Sequence, residues 1–535
     1  MTPTRKMTKE FLHTLQRVQE MGGGKILTGG LRGVEKESLR VTGDGQIAKT
    51  PHPQTLGSAL THPYITTDYS EAQLEFVTPP YASNWQVMQS LTELHQFAVG
   101  SLSNSIANKD ELIWPASMPC MVGSESDVPV ASFGSSNVGK MKHVYRLGLG
   151  HRYGRIMQTI SGVHFNFSIP ERFWPIYKEF AGAVGKQNED FISEQYFHAL
   201  RNLRRASWIL LYLFGCSPSI CASFKVDSTQ LEKCGNTYYL PFATSLRMSN
   251  IGYKNDSQSS IHVSANGLDE YITDLTAAIS TPFPEYEKIG VKVDGEYRQL
   301  NTNLLQIENE YYTLIRPKRV ARSGEKPSQA MRRAGVQYLE VRALDNSLFD
   351  PVGVNSDELC FLELIIWYCL LYPSPPLCED EEKVNSDNQL LVATQGRKPG
   401  LTLQQNGKPR ELKNWALALC KDMQPLAEML DQGMPDSSNA MYATALAKQL
   451  EKITHPEKTP SAKVLSEMKK FDSSFHELTF DVARAHKEYF KALRINNEKF
   501  DYLTNVAQKS LVKQTALEAE DSLNFDEYLK SYFGK

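Results

Sequence analysis

Alternating polar and apolar positions predict four β-strands that each carry charged or ligating side chains. The strands cover 33–41 (GVEKESLRV), 73–78 (QLEFVT), 162–168 (GVHFNFS) and 338–344 (YLEVRAL). Since successive side chains of a strand point to opposite faces, each segment should have one apolar face and one polar face. The polar faces carry Glu35 with Glu37, Gln73 with Glu75, His164 with Asn166, and Glu340 with Arg342.

These polar faces have two interpretations. An antiparallel sheet with one face in water is common, and its polar positions usually mix Thr, Lys, Ser and Glu. Here the polar positions are mainly Glu, His, Asn and Arg, which are residue types that bind metal ions and anions. The pattern favours a binding face, although alternation alone establishes only a sheet with one acidic face.

Helical periodicity dominates both ends of the chain. The N-terminus predicts an amphipathic helix, 356–372 predicts an apolar helix, and the chain from about residue 412 onward is mostly helical. The acidic segment 379–389 is predicted to be a surface loop. One helical face near the C-terminus is predicted from Phe475, Leu478, Val482, Ala485 and Tyr489. Together with the strands, this predicts an α+β fold.

Composition is that of an ordinary globular protein. The 535 residues carry a formal net charge of −3 and are 41% hydrophobic, which gives no general attraction to nucleic acid or anionic membrane. The most apolar run, 361–372, contains Glu363 and ends before Pro373. It is too short for a bilayer core of about 30 Å, so a buried helix is expected.

Cysteine usage indicates a reducing compartment. The eight cysteines include no C-x-x-C pair, so a zinc ribbon or a thioredoxin-like motif is unsupported. With no recognisable targeting segment, the chain is predicted to be cytoplasmic. Whether Cys216 and Cys221 form a disulfide remains open.

The acidic side chains of the strands suit magnesium. Mg²⁺ prefers oxygen ligands and commonly links protein carboxylates to ATP phosphates. If the carboxylates converged without metal, they would repel one another and raise each other's pKa, so convergence implies a metal site. The candidate ligands, enough for two or three ions, are Glu35, Glu37, Asp68, Glu75, Glu340 and His164.

A second group of candidates is basic. The run 315–322 (IRPKRVAR) includes Arg316 and Lys318, and Arg247 and Arg342 lie elsewhere in the chain. Guanidinium groups bind carboxylates and phosphates in pairs of hydrogen bonds. The run could also be a solvated turn or a nucleic-acid patch, but it lacks interleaved aromatic residues. Since 22–25 (GGGK) and 148–154 (GLGHRYG) lack the phosphate-loop and dinucleotide spacings, ATP would bind through metal and basic side chains.

Nine ordered segments resemble one known family. They are GVEKESLRV, GSALTHPYITTDYSEAQLEFVTP, WPASMPC, YRLGLGHRYG, MQTISGVHFNFS, YYLPFATSLRMSNIGY, QIENEYYTLIRPKRVARSGE, YLEVRALD and GRKPGLTL, and they run from Gly33 to about Leu403. Together they resemble the glutamate–cysteine ligases of the gammaproteobacterial type. The resemblance implies a curved, mostly antiparallel sheet that forms a funnel-shaped active site, with outer helices, related to the catalytic fold of glutamine synthetase.

The resemblance also implies a division of the chain and of its site. Residues 1–32 would be an N-terminal helical leader, 33–405 the catalytic domain, and 406–535 a helical C-terminal region packed on that domain. The six candidate ligands above would bind magnesium, and Arg247 and Arg342 would be catalytic contacts for glutamate or the transferred phosphate. Arg316 and Lys318 would contact the ATP phosphates. The substrate pocket would comprise Tyr145, Gln158, Ile160, Arg247, Tyr253 and Tyr312.

The implied reaction joins the γ-carboxyl of L-glutamate to the amine of L-cysteine through a γ-glutamyl phosphate. It consumes ATP, releases ADP and phosphate, and is the first step of glutathione biosynthesis. The resemblance implies two or three Mg²⁺ ions, with Mn²⁺ as a possible substitute, and ATP as co-substrate. We expect a monomer with a single activity and without nucleic-acid or membrane partners. Two alternatives are a ligase for a different acid or amine, and a non-catalytic protein that kept the sheet.

Overall fold

The computed structural model describes residues 3–224, 229–252, 258, 261–322, 324–435, 439–494 and 496–534, with side chains from residue 6. The helices are α1 Pro3–Glu20, α2 Gly24–Leu27, α3 Asn84–Asn104, α4 Asn137–Tyr153, α5 Phe173–Phe180, α6 Asn188–Phe214, α7 Leu268–Ser280, α8 Pro284–Ile289, α9 Pro327–Ala334, α10 Ser356–Leu371, α11 Glu379–Gln395, α12 Leu412–Gly433, α13 Met441–Thr454, α14 Pro460–Met468, α15 Phe475–Ala492, α16 Asn497–Glu520 and α17 Phe525–Phe533. The strands are β1 Leu31–Val41, β2 Ile65–Thr67, β3 Gln73–Val77, β4 Leu112–Ile113, β5 Val163–Ser168, β6 Ser219–Cys221, β7 Glu232–Cys234, β8 Thr237–Tyr239, β9 Lys292–Val293, β10 Glu296–Tyr297, β11 Ile315–Lys318, β12 Tyr338–Leu344, β13 Thr402–Gln405 and β14 Lys408–Glu411.

The main sheet contains all four predicted strands. Its order is β11-β12-β5-β1-β3-β2, with β4 also paired to β1, and every pairing is antiparallel. The predicted alternation therefore gives this sheet two distinct faces. On β5 and β12 the faces are as expected, because Phe165, Phe167, Leu339 and Val341 are fully buried in the main core.

Strand β1 departs from the expected apolar back face. Its core-facing positions include Arg32, Lys36 and Arg40, which are almost completely buried. Arg32 pairs with Glu363 at 2.6 Å, and Arg40 pairs with Glu111 at 2.7 Å. The charges are tolerated because each guanidinium has a carboxylate partner and additional hydrogen bonds.

Helix α10 backs the sheet, as its apolar sequence predicts. It begins with a capping box in which Asn355 and Glu358 bond to each other's backbone N–H groups. Nearly every later side chain of the helix is buried, and Glu363 interrupts the apolar run to pair with Arg32 of β1. Within the part of the chain that the structure describes, no helix is long and apolar enough to cross a membrane.

Two predictions about helices were wrong. Residues 379–389 belong to helix α11 rather than to a loop, because the four acidic residues at its start favour a helix N-terminus. On α15 the buried face contains Phe475, Leu478, Ala483 and Phe490, whereas Tyr489 is 45% exposed. The neighbouring Phe490 takes the inner position because its ring stacks on His95 of α3.

The glycine-rich turn near the N-terminus packs against the C-terminal region. A Cβ atom on Gly24 would lie 1.9 Å from the Met429 carbonyl oxygen of α12, so a larger residue would force the two helices apart. Phe11, Leu15 and Val18 form the buried face of α1 in the same core as α12. The leader and the helical tail therefore share one core with the sheet.

Candidate active site

Strand register brings the predicted acidic residues together. Glu35 lies opposite His164, and Glu37 lies opposite Glu75 on the other side of β1. Glu340 lies opposite Asn166, which donates a hydrogen bond to Glu35 at 2.9 Å. Because directly opposed residues of neighbouring strands point to the same face of a sheet, these side chains emerge together on one face of β12, β5, β1 and β3.

The closest cluster consists of Glu35, His164 and Glu340. One ligand atom from each lies within 4.8 Å of the other two. The His164 Nδ1 atom is 3.2 Å from Oε2 of Glu35 and 3.9 Å from Oε1 of Glu340. The other ring nitrogen, Nε2, is 3.6 Å from Oε1 of Glu37, so the imidazole lies among three carboxylates.

Burial and like charge raise the pKa of two of the carboxyls. The pKa of Glu37 is raised to about 7 by burial and by the nearby Asp68 carboxylate. The pKa of Glu75 is raised well above its usual value by burial, followed by the charges of Glu35, Asp68 and Glu37. This is the repulsion that the sequence predicted for a converged carboxylate set.

Glu340, unlike Glu37 and Glu75, is surrounded by basic side chains. The Lys318 Nζ atom lies 3.7 Å from its Oε1 atom, and Arg342 Nη1 lies 3.6 Å from its Oε2 atom. Burial alone would raise the pKa of Glu340, but these two cations hold it well below its usual value. The same carboxylate raises the pKa of Arg342 against the effect of burial. Acidic and basic groups therefore alternate across this part of the cavity.

Most of the predicted site residues line one cavity of about 310 Å³. It contains the six acidic and histidine candidates together with Tyr145, Gln158, Tyr312, Arg316, Lys318 and Arg342. Its volume lies within the range of small-molecule sites, and its walls are mostly polar.

Two predicted residues are not part of this lining, and a third is outside the described residues. Ile160 is fully buried in a core cluster, and its carbonyl accepts a hydrogen bond from Gln73. Arg247 is buried beside the cavity, where its charge acts on Glu37 and Tyr312 and its Nη2 atom donates to the Arg342 carbonyl oxygen at 3.1 Å. Tyr253 lies outside the described residues.

Comparison with known proteins identifies the family. The sequence model described as glutamate–cysteine ligase matches residues 15–392. The chain belongs to the glutamate–cysteine ligase family. The match begins within α1, upstream of the region where the sequence motifs first show the resemblance.

Relatives in this ligase family align over nearly the whole chain. A glutamate–cysteine ligase of Alcanivorax borkumensis is 48% identical over 531 residues, which cover 97% of this chain and 99% of the relative. One from Pseudomonas fluorescens Pf-5 is 45% identical and covers 94% and 93%. The crystal structure of a glutamate–cysteine ligase from Francisella tularensis in complex with AMP is 35% identical, with a TM-score of 0.86, and covers 95% and 98%. This likeness confirms the predicted α+β fold with its curved antiparallel sheet.

The ligase cavity also contains residues that sequence reasoning did not single out. Arg146 donates from Nε to the Asp68 carbonyl oxygen, and its guanidinium lies 4.5 Å from the centre of the Phe133 ring. Glu310 accepts hydrogen bonds from Arg152 and Tyr153 at 2.9 and 2.7 Å. The remaining additions are Tyr69, Leu149, Met157, Gln258 and Asn309. Arg146 and Tyr153 lie in the motif YRLGLGHRYG, which marked this stretch without distinguishing them.

The donor set of this ligase fits magnesium. The Oε2 atom of Glu340 is buried and has no hydrogen-bond partner within the described parts of the chain. Five candidate carboxylate ligands and an imidazole share one cavity, and a divalent cation would relieve the repulsion among the carboxylates. Glu35, His164 and Glu340 are the residues best placed to hold an ion, and Glu37, Asp68 and Glu75 line the same cavity.

Proposed function

We propose that this chain forms a bond between the γ-carboxyl of L-glutamate and the amine of L-cysteine, using ATP and producing γ-glutamylcysteine, ADP and phosphate. The observation that carries the proposal is one cavity, in a member of the glutamate–cysteine ligase family, that is lined by six candidate metal ligands and four cationic side chains. Neither a solvated sheet face nor a non-catalytic binding protein accounts for so many buried, mutually repelling carboxylates.

The cations of the cavity suit phosphoryl transfer. A carboxylate is a poor electrophile, and transfer of the γ-phosphoryl group to it creates a leaving group that the amine can displace. Arg316, Lys318 and Arg342 line the cavity, where they can hold the phosphates and neutralise the charge that develops on the moving group. Bound Mg²⁺ would supply further neutralisation between the carboxylates and the ATP phosphates.

The same cavity has further side chains that suit recognition of the amino acid that supplies the amine. Tyr145, Gln158 and Tyr312 line it, with Met157 as an apolar neighbour. An apolar contact discriminates by only about 1–3 kcal/mol for a difference the size of a methylene group. We therefore expect 2-aminobutyrate, which lacks the thiol, to be accepted as well.

Several finer assignments are part of the same proposal. The enzyme would use two or three Mg²⁺ ions, with Mn²⁺ as a substitute, and would act as a cytoplasmic monomer without nucleic-acid or membrane partners. Residues 33–405 would form the catalytic domain, with 1–32 as a leader and 406–535 as a helical region on the same domain. The shared core of α1, α12 and the sheet supports the packing of all three parts together.

The decisive test is ADP release by the purified chain with ATP, magnesium, glutamate and a panel of amino acids as amine donors. Cysteine should give the highest kcat/KM, with 2-aminobutyrate next, and the product should have the mass of γ-glutamylcysteine. A higher kcat/KM with an unrelated amine would favour a different carboxylate–amine ligase. Absence of cysteine-dependent ADP release would overturn the proposal. Omitting glutamate is the matched control for uncoupled ATP hydrolysis.

A further inference from the structure

The C-terminal tail makes specific contacts with the helix that carries Tyr145 and Arg146. Residues 521–524 connect α16 to α17 and contact the N-terminus of α4. The Asp521 carboxylate accepts a hydrogen bond from the Asn137 N–H group, and the Asn137 side chain donates to the Leu523 carbonyl oxygen at 2.9 Å. Since the N-terminus of a helix carries unpaired N–H groups and partial positive charge, an acidic tail residue stabilises the start of α4.

Helix α17 then packs along the same helix. Leu529 is buried in a small apolar cluster with Met141 and Val144 of α4 and with Leu300. Tyr145, which lines the active-site cavity, is a partly buried member of this cluster. The tail therefore contacts the helix directly behind a predicted substrate-binding side chain.

Helix α17 also contacts the part of the chain that follows α8 and that lines the cavity within residues 309–312. Phe525 packs edge-on against Tyr297 with 5.1 Å between ring centres, and Asp526 accepts a hydrogen bond from the Tyr297 hydroxyl. Lys326 lies 5.3 Å from the centre of the Tyr532 ring. These contacts hold Tyr297 and Lys326, and the chain between residues 297 and 322 supplies Asn309, Glu310 and Tyr312 to the cavity.

The side chain of Gln306 links α4 to the 300–312 segment. Gln306 donates to the Tyr145 carbonyl oxygen at 3.1 Å and accepts from the Leu300 N–H group at 2.9 Å. The Gln306 N–H group donates to Glu310 at 2.7 Å. Helix α17 therefore covers a joint at which α4 and the 300–312 segment meet.

We propose that residues 521–534 are a positioning element that sets the distance between Tyr145 and Tyr312 across the amine-binding side of the cavity. Asp521 and Leu529 are its principal residues, because one caps α4 and the other is buried against it. The substrate concerned is the amino acid that supplies the amine, so this inference rests on the proposed function. None of the tail contacts described above is with the strands that carry the candidate metal ligands, so those strands should be unaffected.

Deletion of 521–535 tests the inference. The KM for cysteine should rise about tenfold, which corresponds to about 1.4 kcal/mol, whereas the KM for ATP should change less than about twofold. Leu529→Ala should cause a smaller rise, and Lys530→Ala, on the exposed side of the same helix, should cause none. A synthetic peptide of residues 521–535 should restore the cysteine KM of the truncated chain. If the truncated chain does not fold, the KM for cysteine of Leu529→Ala decides the test.

Hydrogen exchange separates this inference from the proposed function. In Leu529→Ala, amides of 137–153 and 300–312 should exchange faster than in Lys530→Ala, whichever amine the enzyme uses. Unchanged exchange in both segments would overturn the inference even if cysteine is the substrate. A parallel loss of kcat and of binding for ATP and cysteine, in proportion to a fall in Tm, would also overturn it, because that pattern indicates general destabilisation.

Discussion

Glu37 of β1 and Glu75 of β3 are direct cross-strand partners, and both carboxyls have a raised pKa. Like charges at opposed positions destabilise a sheet, and burial strengthens the effect. A carboxyl whose folded pKa exceeds its unfolded value contributes stability at low pH. It loses that contribution as the pH rises, for Glu37 from about 4.5 towards about 7.

Glu75→Gln should therefore stabilise the metal-free protein. We expect an increase in Tm on the order of 1–3 °C at pH 8 and almost none at pH 4.5, since the repulsion exists only when the carboxyls are ionised. Thermal unfolding in EDTA measures this, with the exposed Glu287→Gln as control. Magnesium should raise the Tm of the wild-type chain more than that of Glu75→Gln. Equal shifts in the two proteins would contradict a metal role for Glu75.

Glu340→Gln tests the most buried carboxylate of the site. The variant keeps the shape of the side chain but removes the charge between Lys318, Arg342 and the proposed metal ion. ATP turnover should fall at least about 100-fold. The Tm should also fall, because Lys318 and Arg342 lose the buried carboxylate that pairs with them, while circular dichroism should still show a folded chain. Glu287→Gln again serves as the matched acid-to-amide control. Turnover within about twofold of the wild-type rate would refute the assigned role.

The sequence was most informative where alternation was regular. It predicted four strands of the sheet and the face that carries their acidic residues, because a period of two fixes side-chain direction once one face is buried. It could not predict that β1 buries Arg32, Lys36 and Arg40, since their partners come from distant parts of the chain. Long-range pairing also explains why Arg146 and Glu310 were missed.

The position of Arg247 was equally beyond the sequence. The resemblance marked Arg247 of the motif SLRMS as a contact for glutamate or the transferred phosphate. The chain folds a short 3₁₀ helix at Leu246–Met248 that buries it, and its charge acts on Glu37 and Tyr312 of the cavity. The Arg247 Nη1 atom lies 3.8 Å from Asp345, whose carboxylate also accepts hydrogen bonds from the Cys216 N–H group and the Ser217 hydroxyl. Only the tertiary structure reveals that Asp345 is a neighbour of Arg247.

Asp345→Asn should disturb catalysis through Arg247. Arg247 donates to the Arg342 carbonyl oxygen, so its displacement would shift the strand residue that lines the cavity. We expect kcat/KM for glutamate to fall about 10- to 100-fold, because small errors in position are costly in phosphoryl and acyl transfer. Asp350→Asn, which removes a charge on a loop a few residues away, is the matched control. A variant with unaltered glutamate kinetics and reduced Tm would assign Asp345 a structural role only.

Lys36 provides a test that is independent of the active-site chemistry. Its amine is almost completely buried behind the acidic face of β1, where it lies 3.1 Å from Nε2 of His95. Burial lowers the pKa of Lys36 from 10.5 to about 7. The folded protein therefore releases this proton near pH 7, whereas the unfolded chain keeps it up to about pH 10.5, so this group adds stability as the pH rises between these values.

Lys36→Met should raise the free energy of unfolding by about 2–4 kcal/mol at pH 6, and the gain over the wild-type protein should shrink towards pH 10. Urea unfolding at several pH values measures the difference, with the exposed Lys140→Met as control. A gain that does not depend on pH would contradict a depressed pKa and would indicate improved packing alone.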